Sequence, residues 1–158
     1  MKKSSSGFTL IELVVTLGIV IILGGVVLIN LSGKRTTVNL TNTSEDIAAT
    51  LRQAQSNAMA QKGNTTWSVR FTSGATSSFA LFSGSYATGT IAGQYSLLND
   101  IHFDASSIAS GTYVDITFKP VTGIPSAPIT IILDLMSGVS SVSASTTISV
   151  SSVGMISN

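Results

Sequence analysis

The 158-residue chain contains no cysteine. Disulfides, thiolate nucleophiles and cysteine-ligated metals are therefore excluded, although the redox compartment is not fixed by that absence. Charge is also scarce: 9% of residues are Asp, Glu, Lys or Arg, against about 25% in ordinary soluble domains. Serine, threonine and glycine fill the surface role, a composition that suits crowded assemblies and extracytoplasmic sites. The net charge of +1 provides no strong pull toward nucleic acid or acidic lipid. A hydrolase needs a nucleophile, a base and an orienting group in contact. With one histidine, His102, and no cysteine, that constellation would have to recruit an unidentifiable serine, so neither enzymatic activity nor a cofactor is expected. The glycine-rich stretch Gly84–Gly93 lacks the lysine and the strand-to-helix setting of a phosphate-binding loop.

What the chain has in quantity is apolar sequence near its start. Met1–Gly7 is short, basic and serine-rich, and an apolar segment runs from Phe8 to Leu31. Leu13 to Leu31 is 19 residues without a charge, which as a helix rises about 28 Å, close to the ~30 Å hydrocarbon core of a bilayer. One carboxylate, Glu12, sits at its head. Such a group costs about 3 kcal/mol on insertion scales and is read as functional, with a partner to be named. The apolar core exceeds that of a secretory signal, which makes a lasting membrane helix the better reading than cleavage after Gly33. Lys2 and Lys3 flank one end and Lys34 and Arg35 the other, so positive charge does not settle orientation. Gly18, Gly24 and Gly25 each lower helix propensity by about 1 kcal/mol. They are either ordinary membrane-helix glycines or a point where the helix can stretch during assembly.

Beyond the apolar segment, Ile47, Leu51, Ala54 and Ala58 fall on one helical face. Glu45 and Asp46 follow Thr43-Ser44 as first-turn acids follow an N-cap. Thr41–Ser44 is then either a break between two helices or a polar stretch within one. Gly63-Asn64 ends the run. From there the period becomes two. Trp67, Val69 and Phe71 alternate with polar neighbours, Thr72–Ser77 reads as a turn, and Ser78–Ser83 is the hairpin partner with Phe79 and Leu81 on one face. Gly84–Gly93 reads as a loop, with strands at Tyr95–Leu98, Ile101–Phe103 and Thr112–Phe118. Lys119–Pro128 holds all three prolines and reads as an ordered loop. Ile129–Leu135 and Thr146–Val150 are further strands with Gly138 in a turn between them, and Ser151–Asn158 offers a short edge strand.

Lys2-Lys3, then Gly7 followed by Phe8-Thr9-Leu10-Ile11-Glu12-Leu13, resembles the N-terminus of type IV prepilins and pseudopilins. The segments Leu51–Ala58, Trp67–Phe71, Ile116–Pro120 with Gly123, and Thr147–Ser151 with Gly154 are similar to the GspH/FimT-like minor pilins, in that family's order. The implied fold is α+β: a long N-terminal membrane-spanning helix packed on a β-rich globular domain of antiparallel sheets. The implied organisation is a leader at 1–7, a transmembrane and filament-core helix at 8–31, an extracytoplasmic helical continuation at 32–63 and the β-rich domain at 64–158.

The same resemblance implies a structural and assembly subunit of a type IV pilus or a type II secretion-like filament. A prepilin peptidase would cut between Gly7 and Phe8 and N-methylate Phe8. The subunit would rest in the bacterial inner membrane, single-pass and in contact with lipid, with its globular domain outside. An assembly platform would then pass it into a helical filament of pilin subunits. Removal of residues 1–7 takes away Lys2 and Lys3, leaving 6 basic against 7 acidic side chains, a net of −1. The alternative is a filament-tip binding module for DNA or a surface ligand. Some FimT-like pilins bind DNA through a basic C-terminal region, whereas here Gly154 is followed by Met155-Ile156-Ser157-Asn158.

Among candidate residues Glu12 comes first. A carboxylate in a membrane needs a cation or a proton, and cleavage at Gly7 would create a cation, the α-amino group of Phe8. The amine and Glu12 share a helical face within one chain; the resemblance implies pairing across neighbouring subunits instead. Asp100, His102 and Asp104 alternate around Ile101 and Phe103. They form either a metal-binding strand face or, as expected here, a solvated polar face, so no metal is assigned. Trp67, Arg70, Phe71, Phe79 and Phe82 could stack on single-stranded nucleic acid; Trp67, Phe71 and Phe79 are more simply core residues facing the helix. Arg52, Lys62, Arg70 and Lys119 are too scattered in sequence to define a basic patch.

Overall fold

A computed structural model describes residues 9–137 and 141–158, without the side chains of 24–36 and 137. In chain order it comprises α1 (Leu10–Met59), a 3-10 turn (Lys62–Asn64), β1 (Trp67–Thr72), β2 (Ser78–Ser83), β3 (Thr90–Ser96), β4 (Ile101–Phe103), β5 (Tyr113–Phe118), β6 (Ile129–Ser137), β7 (Ser141–Val150) and β8 (Ile156–Ser157). The chain divides into two units, Met1–Thr36 and Thr37–Asn158.

In the second unit, Leu40, Ile47, Leu51, Ala54 and Ala58 form a fully buried stripe on α1. The period that identified a helix in the sequence is the face on which the core is built. No break occurs at Thr41–Ser44. The hydroxyls of Thr41, Thr43 and Ser44 donate back to the carbonyls of Thr37, Asn39 and Thr41 at 3.2, 2.8 and 2.8 Å. Back-bonding of this kind lets short polar side chains sit inside a helix. Ser44 is buried, and Glu45 and Asp46 lie mid-helix rather than in a first turn.

Two four-stranded antiparallel sheets complete the unit, in the orders β3-β2-β1-β5 and β4-β6-β7-β8. Their inner faces supply Val69, Phe71, Ile116 and Phe118 from the first sheet and Ile131, Leu133, Ile148 and Val150 from the second, all in one cluster with the α1 stripe. The fold is therefore α+β, a helix packed on antiparallel sheets. Ala54 and Ala58 place no bulk beyond Cβ, so the strands can approach the helix closely.

The strands at β1, β2 and β4 fall where the alternation placed them. The loop expected at Gly84–Gly93 is shorter. Strand β3 begins at Thr90, pairs with β2 and crosses a bulge opposite Leu81/Phe82. Its side chains are almost all exposed, so no buried alternation marked its first half. Leu97 has already left the strand and donates its N–H to Ser77 O at 2.8 Å. Strands β6 and β7 extend beyond their expected limits, to Ser137 and from Ser141; the expected turn at Gly138 lies outside the described residues. The short edge strand expected in the tail is β8.

Gln55 ties two turns of the second half of the chain to the helix. Gln55 Nε2 donates to Gly123 O at 3.0 Å and to Gly154 O at 2.9 Å. Both glycines have positive φ, +63° and +86°. A Cβ on Gly154 would lie 2.6 Å from Gln55 Nε2, and one on Gly123 would lie 2.7 Å from Met59 Cγ. Only glycine satisfies both the backbone angle and the clearance. The same loop gives Val121 N–H to Ala58 O at 3.2 Å, a second donor on a carbonyl that already accepts from Gln61 N–H at 3.1 Å.

Candidate functional site

The head of α1 carries Glu12 in a defined local setting. Thr9 precedes the helix, and its Oγ1 accepts the Glu12 N–H at 3.4 Å and donates to Glu12 Oε2 at 3.5 Å. Thr-x-x-Glu is the spacing of a capping box; here the Thr9 hydroxyl makes both contacts, accepting from the Glu12 N–H as an N-cap does and donating to the Glu12 carboxylate. The contact to Oε2 is long, which leaves the exposed carboxylate free to accept from a stronger donor. Thr16 is satisfied internally, donating to Glu12 O at 2.9 Å and Leu13 O at 3.0 Å. Thr9 was not singled out in the sequence, although the Thr-Leu-Ile-Glu spacing carried the signal.

Around this carboxylate nothing apolar is covered. The eleven large apolar side chains from Leu10 to Leu23 are 52–83% exposed. Burying apolar surface is worth about 25 cal/mol per Å², so a stripe of this size demands a covering phase. Among the described residues no helix is long and apolar enough to cross a membrane; side chains of the Leu13–Leu31 run are described only as far as Leu23. Gly7 and Phe8 lie outside the described residues.

The remaining candidates lie in the second unit. His102 stands opposite Asp134 in the β4–β6 register. Asp104 Oδ1 accepts from Ser106 N at 2.8 Å and from the Ser106 hydroxyl. These bonds hold its carboxyl below the usual range and make it the local cap of the turn leading to Ile108. Asp134 is pushed up, first by burial and then by the neighbouring Asp104 charge. Among the described residues, no three His, Asp or Glu side chains form a group able to hold a metal.

Trp67, Phe71 and Phe79 are buried in the core. Phe71 meets Phe103 edge-on at 5.8 Å, and Trp67 Nε1–H donates to Lys62 O at 2.8 Å. Arg70 and Phe82 face the opposite side of the first sheet. Arg70 Nε and Nη2 donate to the two oxygens of Asp115 at 2.6 and 2.5 Å. Its guanidinium carbon lies 3.9 Å from each of the Tyr86 and Tyr113 ring centres. The hydrogen bonds to Asp115 raise Arg70 above its ordinary value, against the opposing effect of burial. Asp115, Tyr86 and Tyr113 were not candidates from sequence. The shared parity of Tyr113 and Asp115 was legible, but Tyr86 lay in an expected loop, and the register that sets Asp115 beside Arg70 was not legible.

The prokaryotic N-terminal methylation motif matches residues 2–28, and the model of the type II transport protein GspH matches residues 43–154. The chain belongs to the GspH family. As a GspH-family protein it is a pilin- or pseudopilin-type subunit, and that family consists of structural components rather than enzymes. The family implies prepilin processing, anchoring through the N-terminal segment and association with other subunits in a filament. No curated protein and no solved structure matches the chain. The GspH match begins inside α1 and closes at residue 154, so it encloses the Gln55 contacts with Gly123 and Gly154 that bind helix to sheets.

Proposed function

We propose that this GspH-family subunit is stored in the bacterial inner membrane through a single helix at 8–31, with its leader at 1–7 on the cytoplasmic side. The continuation at 32–63 and the β-rich domain at 64–158 lie outside. Prepilin peptidase cuts between Gly7 and Phe8 and methylates the new amine. An inner-membrane assembly platform then moves the subunit into a pilus or pseudopilus. There the Glu12 carboxylate meets the Phe8 amine of an adjacent subunit and sets the register of docking.

The observation that carries this reading is the uncovered apolar stripe Leu10–Leu23 interrupted by one carboxylate. Lipid, and afterwards the helices of neighbouring subunits, can cover that stripe. Neither can host Glu12 cheaply without a cation. The precursor has no amine at Phe8, so cleavage creates the counter-charge and licenses assembly.

The mature N-terminus is the direct test. Mass spectrometry of protein purified from membranes should find a chain beginning at N-methylated Phe8; any other start removes the reading. Glu12→Ala should leave cleavage intact and abolish recovery of the subunit in sheared filaments, and normal incorporation would contradict the assigned role. Nucleic acid is not the target of this reading, because Met155 follows Gly154 and Arg70 is neutralised by Asp115. The purified protein should show no salt-sensitive retention on DNA.

A further inference from the structure

The outer face of the first sheet holds a cleft of about 330 Å³ between β1, β5 and the Gly84–Gly89 loop. A solvated sheet face in a chain this poor in charge and aromatics would ordinarily carry serine and threonine alone. Here two of the three tyrosines, Tyr86 and Tyr113, line the cleft together with the Arg70–Asp115 pair. Phe82 is buried beneath them, edge-on to Tyr86 at 5.2 Å.

The wall that carries Tyr86 is built in advance. Gly84 N–H donates to Thr66 O at 2.9 Å and Gly89 N–H to Ser85 O at 2.6 Å. A Cβ on Gly89 would lie 2.0 Å from Ser83 O, so the turn closes only with glycine there. A preformed concave site binds without the cost of ordering its loop.

We infer that this cleft binds a neutral carbohydrate, a pyranose ring presenting adjacent hydroxyls. Arg70 and Asp115 cancel each other's charge, so the site offers no net attraction to an anion or a cation. The guanidinium keeps N–H donors beyond the two given to Asp115, and the carboxylate keeps lone pairs. A donor and an acceptor side by side match a vicinal diol, whose hydroxyls accept from one and donate to the other. Arg70 covers one face of the Tyr113 ring at 3.9 Å; the ring is 59% exposed, and its outward face offers the apolar surface that the C–H face of a sugar covers. Ser68 and Thr117, hydrogen-bonded to each other at 2.8 Å, extend the polar floor. This binding role goes beyond filament assembly and does not depend on Glu12.

Full-length processed protein in lauryldimethylamine oxide micelles, whose headgroup is not a sugar, is titrated with lactose, maltose and N,N′-diacetylchitobiose and followed by saturation-transfer NMR. At least one disaccharide should receive saturation on its ring C–H protons, with a Kd on the order of millimolar. That affinity should hold between about 50 and 500 mM salt, because a neutral ligand is not screened. Tyr113→Ala should weaken binding about tenfold or more, Tyr113→Phe should retain it, and Glu12→Ala should leave it unchanged. No transfer to any of the three sugars overturns the inference. So does undiminished binding by Tyr113→Ala, or binding that salt abolishes.

Discussion

At the scale of single residues, the Gln55 amide reinforces the helix-to-sheet join that the buried α1 stripe makes. Gln55→Ala would leave the carbonyls of Gly123 and Gly154 without their donor. The expected cost is about 2–3 kcal/mol, read as a lowered urea midpoint with an unchanged slope. Asp134 gives a pH signature. Its carboxyl is raised, so the folded state favours the protonated form more than the unfolded chain does. The stability linked to Asp134 is present below the ordinary carboxylate value of about 4 and is lost as pH rises through the raised one. Asp104 runs the other way: lowered by its Ser106 bonds, it contributes stability above the ordinary value that is lost as pH falls. Asp134→Asn keeps a neutral donor beside Asp104. Thermal melts should show the variant gaining on the parent protein as pH rises from about 3 toward 7, and a constant difference across that range would refute the assignment. Of these residues, Gln55 and both glycines stood inside the segments that resemble GspH/FimT-like pilins, but their mutual contact has no local signature.

At the scale of elements, α1 and the strands differ in how well they could be read. The α1 stripe was visible because burial on a helix repeats at 3.6 residues, and β1, β2 and β5 were visible because apolar side chains recur at every second position on the face of each that meets the core. Strand β3 was half missed because a largely exposed edge strand has no buried alternation to display. The polar Thr41–Ser44 stretch left two structures open, and back-bonding by its hydroxyls closes the choice in favour of helix. Thr43→Pro would remove that possibility by losing a backbone bond and clashing with the preceding turn, at a cost of about 3 kcal/mol or more. Circular dichroism should record a lower melting temperature together with reduced helix content.

At the scale of the whole molecule, the two units carry different work. The core joins α1 from Leu40 onward to both sheets, all within the second unit. A chain beginning at Thr37 should therefore fold cooperatively, remain in solution without detergent, and unfold at a urea midpoint close to that of the same domain in the full protein. Aggregation or non-cooperative melting of the fragment would show that the first unit stabilises the second. The assembly role proposed for Glu12 belongs to the first unit, where Thr9 and Glu12 open an apolar helix whose described side chains are exposed. Amino-acid identity alone determined that feature, as it determined the helical and strand periods, the absence of thiol chemistry and the prepilin-like start. These follow from local order along the chain, where spacing fixes which side chains share a face. The tertiary structure alone decided which faces meet. Arg70 and Asp115 are 45 residues apart, and Gln55 reaches partners 68 and 99 residues away. Contacts of that range are set by sheet register and packing, so the Gln55 contacts and the Arg–Tyr cleft exist only once the whole domain has folded.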